Sequence, residues 1–107
     1  MTNAHDVIFR TLADPTRRAI FERLCREGEQ TVGALTACAG VSQPAVSKHL
    51  AVLKQAGLVR DRHVGRQTHF SAQLGALAPL IDWTSQMAGF WQSRFDALEN
   101  LLKRMDQ

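Results

Sequence analysis

Apolar positions recur at helical spacing along most of this chain, and over one stretch that spacing gives way to short extended runs. The clearest helical stripe is Val46, Leu50 and Leu53, at i, i+4 and i+7. Ser42 is placed to cap that helix, and Pro44 fits its first turn, where a missing N–H costs nothing. Upstream, Val7, Ile8, Phe9 and Leu12 predict a short helix over residues 4–12. Asp14-Pro15 marks a boundary and opens a second helix to about Glu27, with Ile20, Phe21 and Leu24 inward and Gly28 as its stop. Thr31 caps a short third helix carrying Val32, Leu35 and Ala39, ended by Gly40, and Leu35 and Val41 are expected to brace it against the next one. After Gly57 the period changes. Leu58–Val64 and Gln67–Ser71 flank Gly65-Arg66 and predict a β-hairpin with its tip at Val64-Gly65-Arg66. From Leu74 to about Arg104 a last helix carries Leu80, Trp83, Met87, Trp91, Phe95, Leu98, Leu102 and Met105 at steps of three or four, broadened by Ile81, Phe90 and Leu101.

A short helix, a glycine turn and a capped second helix make a helix-turn-helix. The outward face of the second helix holds Pro44, Ala45, Ser47, Lys48 and Ala51: small, polar and basic, with no acid. Such a face fits a major groove and offers short hydrogen-bonding groups to base edges, although an ordinary amphipathic surface helix has the same stripe. The hairpin that follows holds Arg60, Arg62 and Arg66 against Asp61 alone. This is the wing arrangement, in which arginines reach phosphates or the minor groove; the bland alternative is a solvated hairpin. The expected fold is mainly α (α+β), a winged helix-turn-helix with a two-stranded β-wing and a long C-terminal dimerisation helix. The 107 residues suit one domain. That domain has little use for so apolar a closing helix, so a second copy of the chain is the expected cover, with folding back onto its own domain as the alternative.

Charge adds modest support. Thirteen Lys and Arg against ten Asp and Glu leave +3 and a pI near 9.4, which favours a polyanionic partner. There is no Tyr and only 7 % aromatic residues, which disfavours single-strand binding by base stacking. Arg17 and Arg18 sit in a helix's first turn, where the dipole disfavours cations. Either they serve an outside phosphate or acid, or they pair with Asp14 or Glu22. No apolar run reaches the length of a membrane span, and no signal peptide is visible, so the expectation is a cytoplasmic protein without a membrane partner.

Cys25 and Cys38 lack the spacing of a zinc ribbon or a redox pair, and each is expected as a small buried residue within a helix. As a reactive thiol Cys25 is the better candidate, with Arg23 and Arg26 beside it. His49 borders the outward face, where it either meets DNA or anchors the helix. His63 and His69 are candidates to face each other across the hairpin. No nucleophile elbow, phosphate-cradling glycine loop or HExxH motif occurs, so no enzyme chemistry is expected and no cofactor is implied.

Three segments resemble the ArsR family of bacterial winged-helix repressors: Leu12-Ala13-Asp14-Pro15-Thr16-Arg17-Arg18, Val41 through Leu50, and Leu53 through Val59. The similarity runs to about Phe70 and, more loosely, into the last helix. It implies a homodimer built on the first and last helices, a near-palindromic operator and repression of transcription. Carried over by position, Ser42, Gln43, Pro44, Ser47, Lys48 and His49 would meet double-stranded DNA, joined by Arg62, Arg66 and Gln67 of the wing. The dimer interface would draw on Ile8, Leu12, Trp83, Met87, Phe90, Trp91, Phe95, Leu98 and Leu102. The family's metal-sensing thiols would fall at Thr31 and Gly33, and the last helix holds Asp82, Asp96 and Glu99 but no His. Metal sensing is therefore not carried over. Regulation stays open between an unidentified small-molecule effector seated between the last helices and a thiol-redox or metal response through Cys25 or Cys38. A winged module that binds a protein instead of DNA is the reading from another class.

Overall fold

The computed structural model describes residues 3–106. Helix α1 (Ala4–Leu12) leads into α2 (Pro15–Glu27), where the Asp14 carboxylate accepts the Arg17 N–H at 2.9 Å. Arg18 Nε stands 3.9 Å from Glu22, the pairing expected of it, and both arginines have a further role that the sequence did not suggest. Arg17 Nε donates to the Thr11 carbonyl at 2.6 Å and Arg18 Nη1 to the Leu12 carbonyl at 2.8 Å. They cap the open C-terminal end of α1, where the dipole favours cations, and so fix the α1–α2 corner.

Strand β1 (Gln30–Thr31) then precedes α3 (Val32–Ala39), whose cap is the Thr31 hydroxyl accepting the Ala34 N–H at 3.1 Å. Gly40 turns the chain at φ 71°, a left-handed conformation that residues with a Cβ rarely adopt. Helix α4 (Gln43–Gln55) starts at Ser42, whose hydroxyl accepts the Ala45 N–H at 3.3 Å. Val46, Leu50 and Leu53 are fully enclosed, each 0 % exposed, as their spacing predicts. They pack with Ile8, Ile20, Phe21, Leu24, Leu35, Leu58, Val59 and Phe70 into one core. Val41 does not brace the two helices as expected. It lies in the turn, 37 % exposed, and Leu35 makes the buried contact.

Strands β2 (Val59–Val64) and β3 (Gln67–Ala72) form the hairpin around Gly65-Arg66. The sheet has three strands and not two, in the order β1-β3-β2, all antiparallel. The extra strand is two residues long and pairs Gln30 with Phe70 and Thr31 with His69, tying the wing to the start of α3. A 3-10 turn (Leu74–Leu77) leads to α5 (Ala78–Met105), so the long helix begins four residues later than its sequence pattern implies.

Helix α5 contributes no buried residue. Its first turns lean on α1, where the Phe9 and Trp83 rings meet edge-on at 5.0 Å, and the rest extends away from the core. The radius of gyration, 19.7 Å, far exceeds the roughly 13 Å of a compact chain of this length. Phe90, Trp91, Phe95, Leu98, Leu101, Leu102 and Met105 are all exposed on this chain.

Candidate nucleic-acid interface

The fold brings two distant stretches together. The start of α4 and the hairpin tip share a depression lined by Gln43, Arg66, Gln67, Thr68 and the Thr31–Gly33 segment. β1 makes this possible, because it holds β3 beside the N-terminus of α3. Gln43, Pro44, Ser47 and Lys48 are exposed along α4, and Ser42 is exposed at its cap. His49 is half-buried. Its charge, behind the Arg17 N–H, helps to hold the Asp14 carboxyl below the usual carboxylate range. Among the described residues, neither Lys48 nor Arg66 has a carboxylate within salt-bridge distance.

Arg62 differs from Arg66. Its Nε and Nη2 donate to the two carboxylate oxygens of Glu29 at 2.8 and 2.7 Å, a bidentate pair reaching across the central strand. The Arg62 hydrogen bond pulls the Glu29 carboxyl down, and Glu29 in turn raises Arg62. His69 Nδ1 stands 3.5 Å from the same carboxylate. Glu29 is the residue that sequence reasoning missed. Its partner lies 33 positions away, and only recognition of β1 would have placed it beside the wing. Lys54 is likewise engaged, with Asp61 at 3.1 Å.

The two hairpin histidines do not face each other. The two-residue loop sets His63 opposite Thr68, with Nδ1 and Oγ1 3.1 Å apart, and sets Arg62 opposite His69. Neither cysteine is buried; both thiols are free and exposed, contrary to the expected packing role. Desolvation nevertheless pushes the Cys25 thiol up, more than Arg26 lowers it, so Cys25 is not activated as its basic neighbours suggested. No group of three His, Cys, Asp or Glu suited to hold a metal ion occurs among the described residues.

The residues inferred for pairing fall into three environments. Ile8 is 4 % exposed inside the core, with little surface left for a partner. Leu12, Trp83 and Met87 are half-buried. Phe90, Trp91, Phe95, Leu98 and Leu102 are open.

Known proteins share this arrangement. A family model described as "Helix-turn-helix domain" matches residues 12–62, from the end of α1 into the wing. The HTH-type transcriptional regulator Rv2034 of Mycobacterium tuberculosis is 45 % identical over 92 residues, covering 81 % of this chain and 85 % of that protein. A crystal structure of an ArsR family transcriptional regulator superposes with a TM-score of 0.75 at 30 % identity, covering 87 % of this chain and 98 % of that one. The chain belongs to the ArsR family of transcriptional regulators. The transcriptional repressor SdpR of Bacillus subtilis is 34 % identical over 76 residues, covering 71 % of this chain and 83 % of that one. As an ArsR-family member the chain is a DNA-binding helix-turn-helix regulator, and the elements just described are its winged helix-turn-helix. Among the described residues, no helix is long and apolar enough to cross a membrane.

Proposed function

We propose that two copies of this chain form a cytoplasmic homodimeric repressor that reads a near-palindromic operator, the whole chain acting as one winged unit per half-site. The observation that carries the reading is the acid-free exposed face of α4 set beside the hairpin tip, with Gln43, Arg66 and Gln67 on one depression. Ser42, Gln43, Pro44, Ser47, Lys48 and His49 lie along the major groove, with Gln43 able to make paired hydrogen bonds to adenine and Ser47 able to serve either base type. Arg66 and Gln67 reach the adjoining backbone or minor groove. Arg62 joins them only by leaving Glu29. The apolar length of α5 and its contact with α1 support pairing through those helices, which sets half-sites about one helical turn apart. The name of SdpR, a transcriptional repressor, supports repression as the outcome.

Titration of the purified protein onto duplexes over a range of salt tests this. Gln43→Ala is expected to relax base choice at one position by about 1–3 kcal/mol. Arg66→Ala is expected to weaken all sequences alike and flatten the salt dependence. An Arg66→Ala protein with unchanged affinity and slope would refute the wing contact, and indifference to any duplex at low salt would refute the reading as a whole.

A further inference from the structure

A cleft of about 240 Å³ lies between α2 and α3, away from the exposed face of α4 and from the wing tip. Ile20 and Leu35, both core residues, form its floor, and Ala19 and Ala39 line its walls. Thr16, Arg23 and Cys38 bring the polar and reactive groups to its lining. Arg23 Nε is enclosed with no acceptor among the described residues, while Nη2 of the same guanidinium stands 3.1 Å from the Glu27 carboxylate and the side chain as a whole is partly exposed. A buried donor left open is rare in folded proteins, because it gives up hydration without a replacement. A largely apolar recess edged by a guanidinium and the Thr16 hydroxyl is complementary to a small molecule with an apolar body and one anionic acceptor. The volume is below that of pockets for drug-sized ligands, so the occupant is small.

We propose that this cleft is an effector site for a small aliphatic or aromatic monocarboxylate. Its carboxylate competes with Glu27 for the Arg23 guanidinium, and its apolar end lies over Ile20 and Leu35. This rests on the operator reading for its consequence, not for the binding itself. Ala39 directly precedes Gly40, the left-handed turn that sets α4 against α3. An occupant wedged between α2 and α3 therefore biases the angle of the recognition helix and changes affinity for the operator. The location differs from a seat between the last helices, which is where the aromatic residues of α5 would otherwise direct attention.

The test uses the full-length reduced protein and a series of straight-chain carboxylates from butanoate to decanoate, with hexanol as the neutral twin. Amide NMR without DNA reads the cleft directly. Expected are saturable shifts at Ala19, Arg23, Cys38 and Ala39, with hexanol about tenfold weaker than hexanoate. Bound hexanoate should also slow iodoacetamide alkylation of Cys38 in a Cys25→Ser background. Arg23→Met should abolish the preference for acid over alcohol. Ala19→Leu, which fills the cleft and leaves Arg23 in place, should abolish binding of both and keeps the test decisive if Arg23→Met fails to fold. No saturable shift at these four residues up to about 10 mM, or shifts confined to α5, would overturn the site. Hexanoate binding in the cleft with duplex affinity unchanged would overturn the effector role alone. Loss of all duplex binding by the ligand-free protein would overturn the operator reading while the amide shifts still report on the cleft.

Discussion

Glu29→Gln tests whether the wing holds one of its arginines in reserve. In the structure both donors that Arg62 presents to one side, Nε and Nη2, are taken by the Glu29 carboxylate at 2.8 and 2.7 Å. An arginine so engaged is already neutralised and releases no counterion when DNA arrives. The substituted amide removes the charge and leaves a single oxygen acceptor, so a phosphate then competes well for the guanidinium. Each phosphate neutralised on duplex DNA steepens the log–log salt dependence by about 0.9. With one Arg62 per half-site, the slope of a pair of chains should steepen by about 1.8, an extra loss of about twelvefold between 50 and 200 mM salt. Fluorescence anisotropy of a labelled duplex, titrated at four or five salt concentrations, reads this directly. Because the ion pair is exposed, the fold should survive its loss. The double variant Glu29→Gln with Arg62→Ala should return the slope to that of the parent, and Arg62→Ala alone should leave it unchanged. Two results refute the reasoning: a Glu29→Gln slope equal to the parent's, or an Arg62→Ala variant already flatter by about 1.8, which would place both Arg62 side chains on phosphate from the start.

Other expectations follow from the core, the caps and the last helix. Leu53→Ala should cost about 2–5 kcal/mol in urea unfolding, because Leu53 is fully enclosed between helices that cannot close the gap. Asp14, Glu29 and Asp61 all titrate below their ordinary values when folded, held down first by the Arg17 N–H, by Arg62 and by Lys54 respectively. Their stabilising share is complete above the unfolded-state carboxylate range and lost as pH falls through and below it. Tm should therefore drop between about pH 5 and about pH 3, and less steeply in Asp14→Asn, which keeps an acceptor for Arg17. Phe90→Ser with Trp91→Ser should turn a dimer into a monomer by sedimentation equilibrium while each winged unit keeps its far-UV spectrum, since both rings are already open on the single chain.

How much of this was legible in the chain depended on how local the signal was. The α4 stripe, the Ser42 and Thr31 caps, the Pro15 helix start and the hairpin around Gly65 are each written within a few residues, and each stands where the spacing put it. The errors came from contacts between distant parts. β1 is too short to carry any periodicity, so the third strand was invisible, and with it the Glu29–Arg62 pair. Arg17 and Arg18 looked misplaced only because the helix they cap is the preceding one. His63 and His69 depend on a register that a one-residue change in the loop would alter, and the two-residue loop separates them. The cysteines were misjudged because burial frequency is a property of the residue type, whereas Cys25 and Cys38 stand on exposed positions of α2 and α3.

None of the buried core residues comes from α5, whose Leu80 packs against the core from outside, and that separates two tasks within the chain. All eleven core residues come from α1 through β3 and the links between those elements, so the winged unit depends on the last helix only through its first turns, where Leu80 packs on the core and Trp83 meets Phe9. A helix of 28 residues spans about 42 Å, and the far half of α5 leaves its apolar side chains in water. Such a helix is marginal alone and gains its stability from packing, so in the proposed dimer its order and the dimer's order are one event. The separation of the two α4 helices is then fixed by the α1–α5 platform and not by the reading face. It follows that Phe9→Ala, which removes the ring standing 5.0 Å from Trp83, should leave base preference within a half-site intact while broadening the tolerated spacing between half-sites. A set of duplexes with the half-sites moved apart in single-base steps measures that. If Phe9→Ala instead changed which bases are preferred and kept the spacing sharp, the platform would not be what sets the distance.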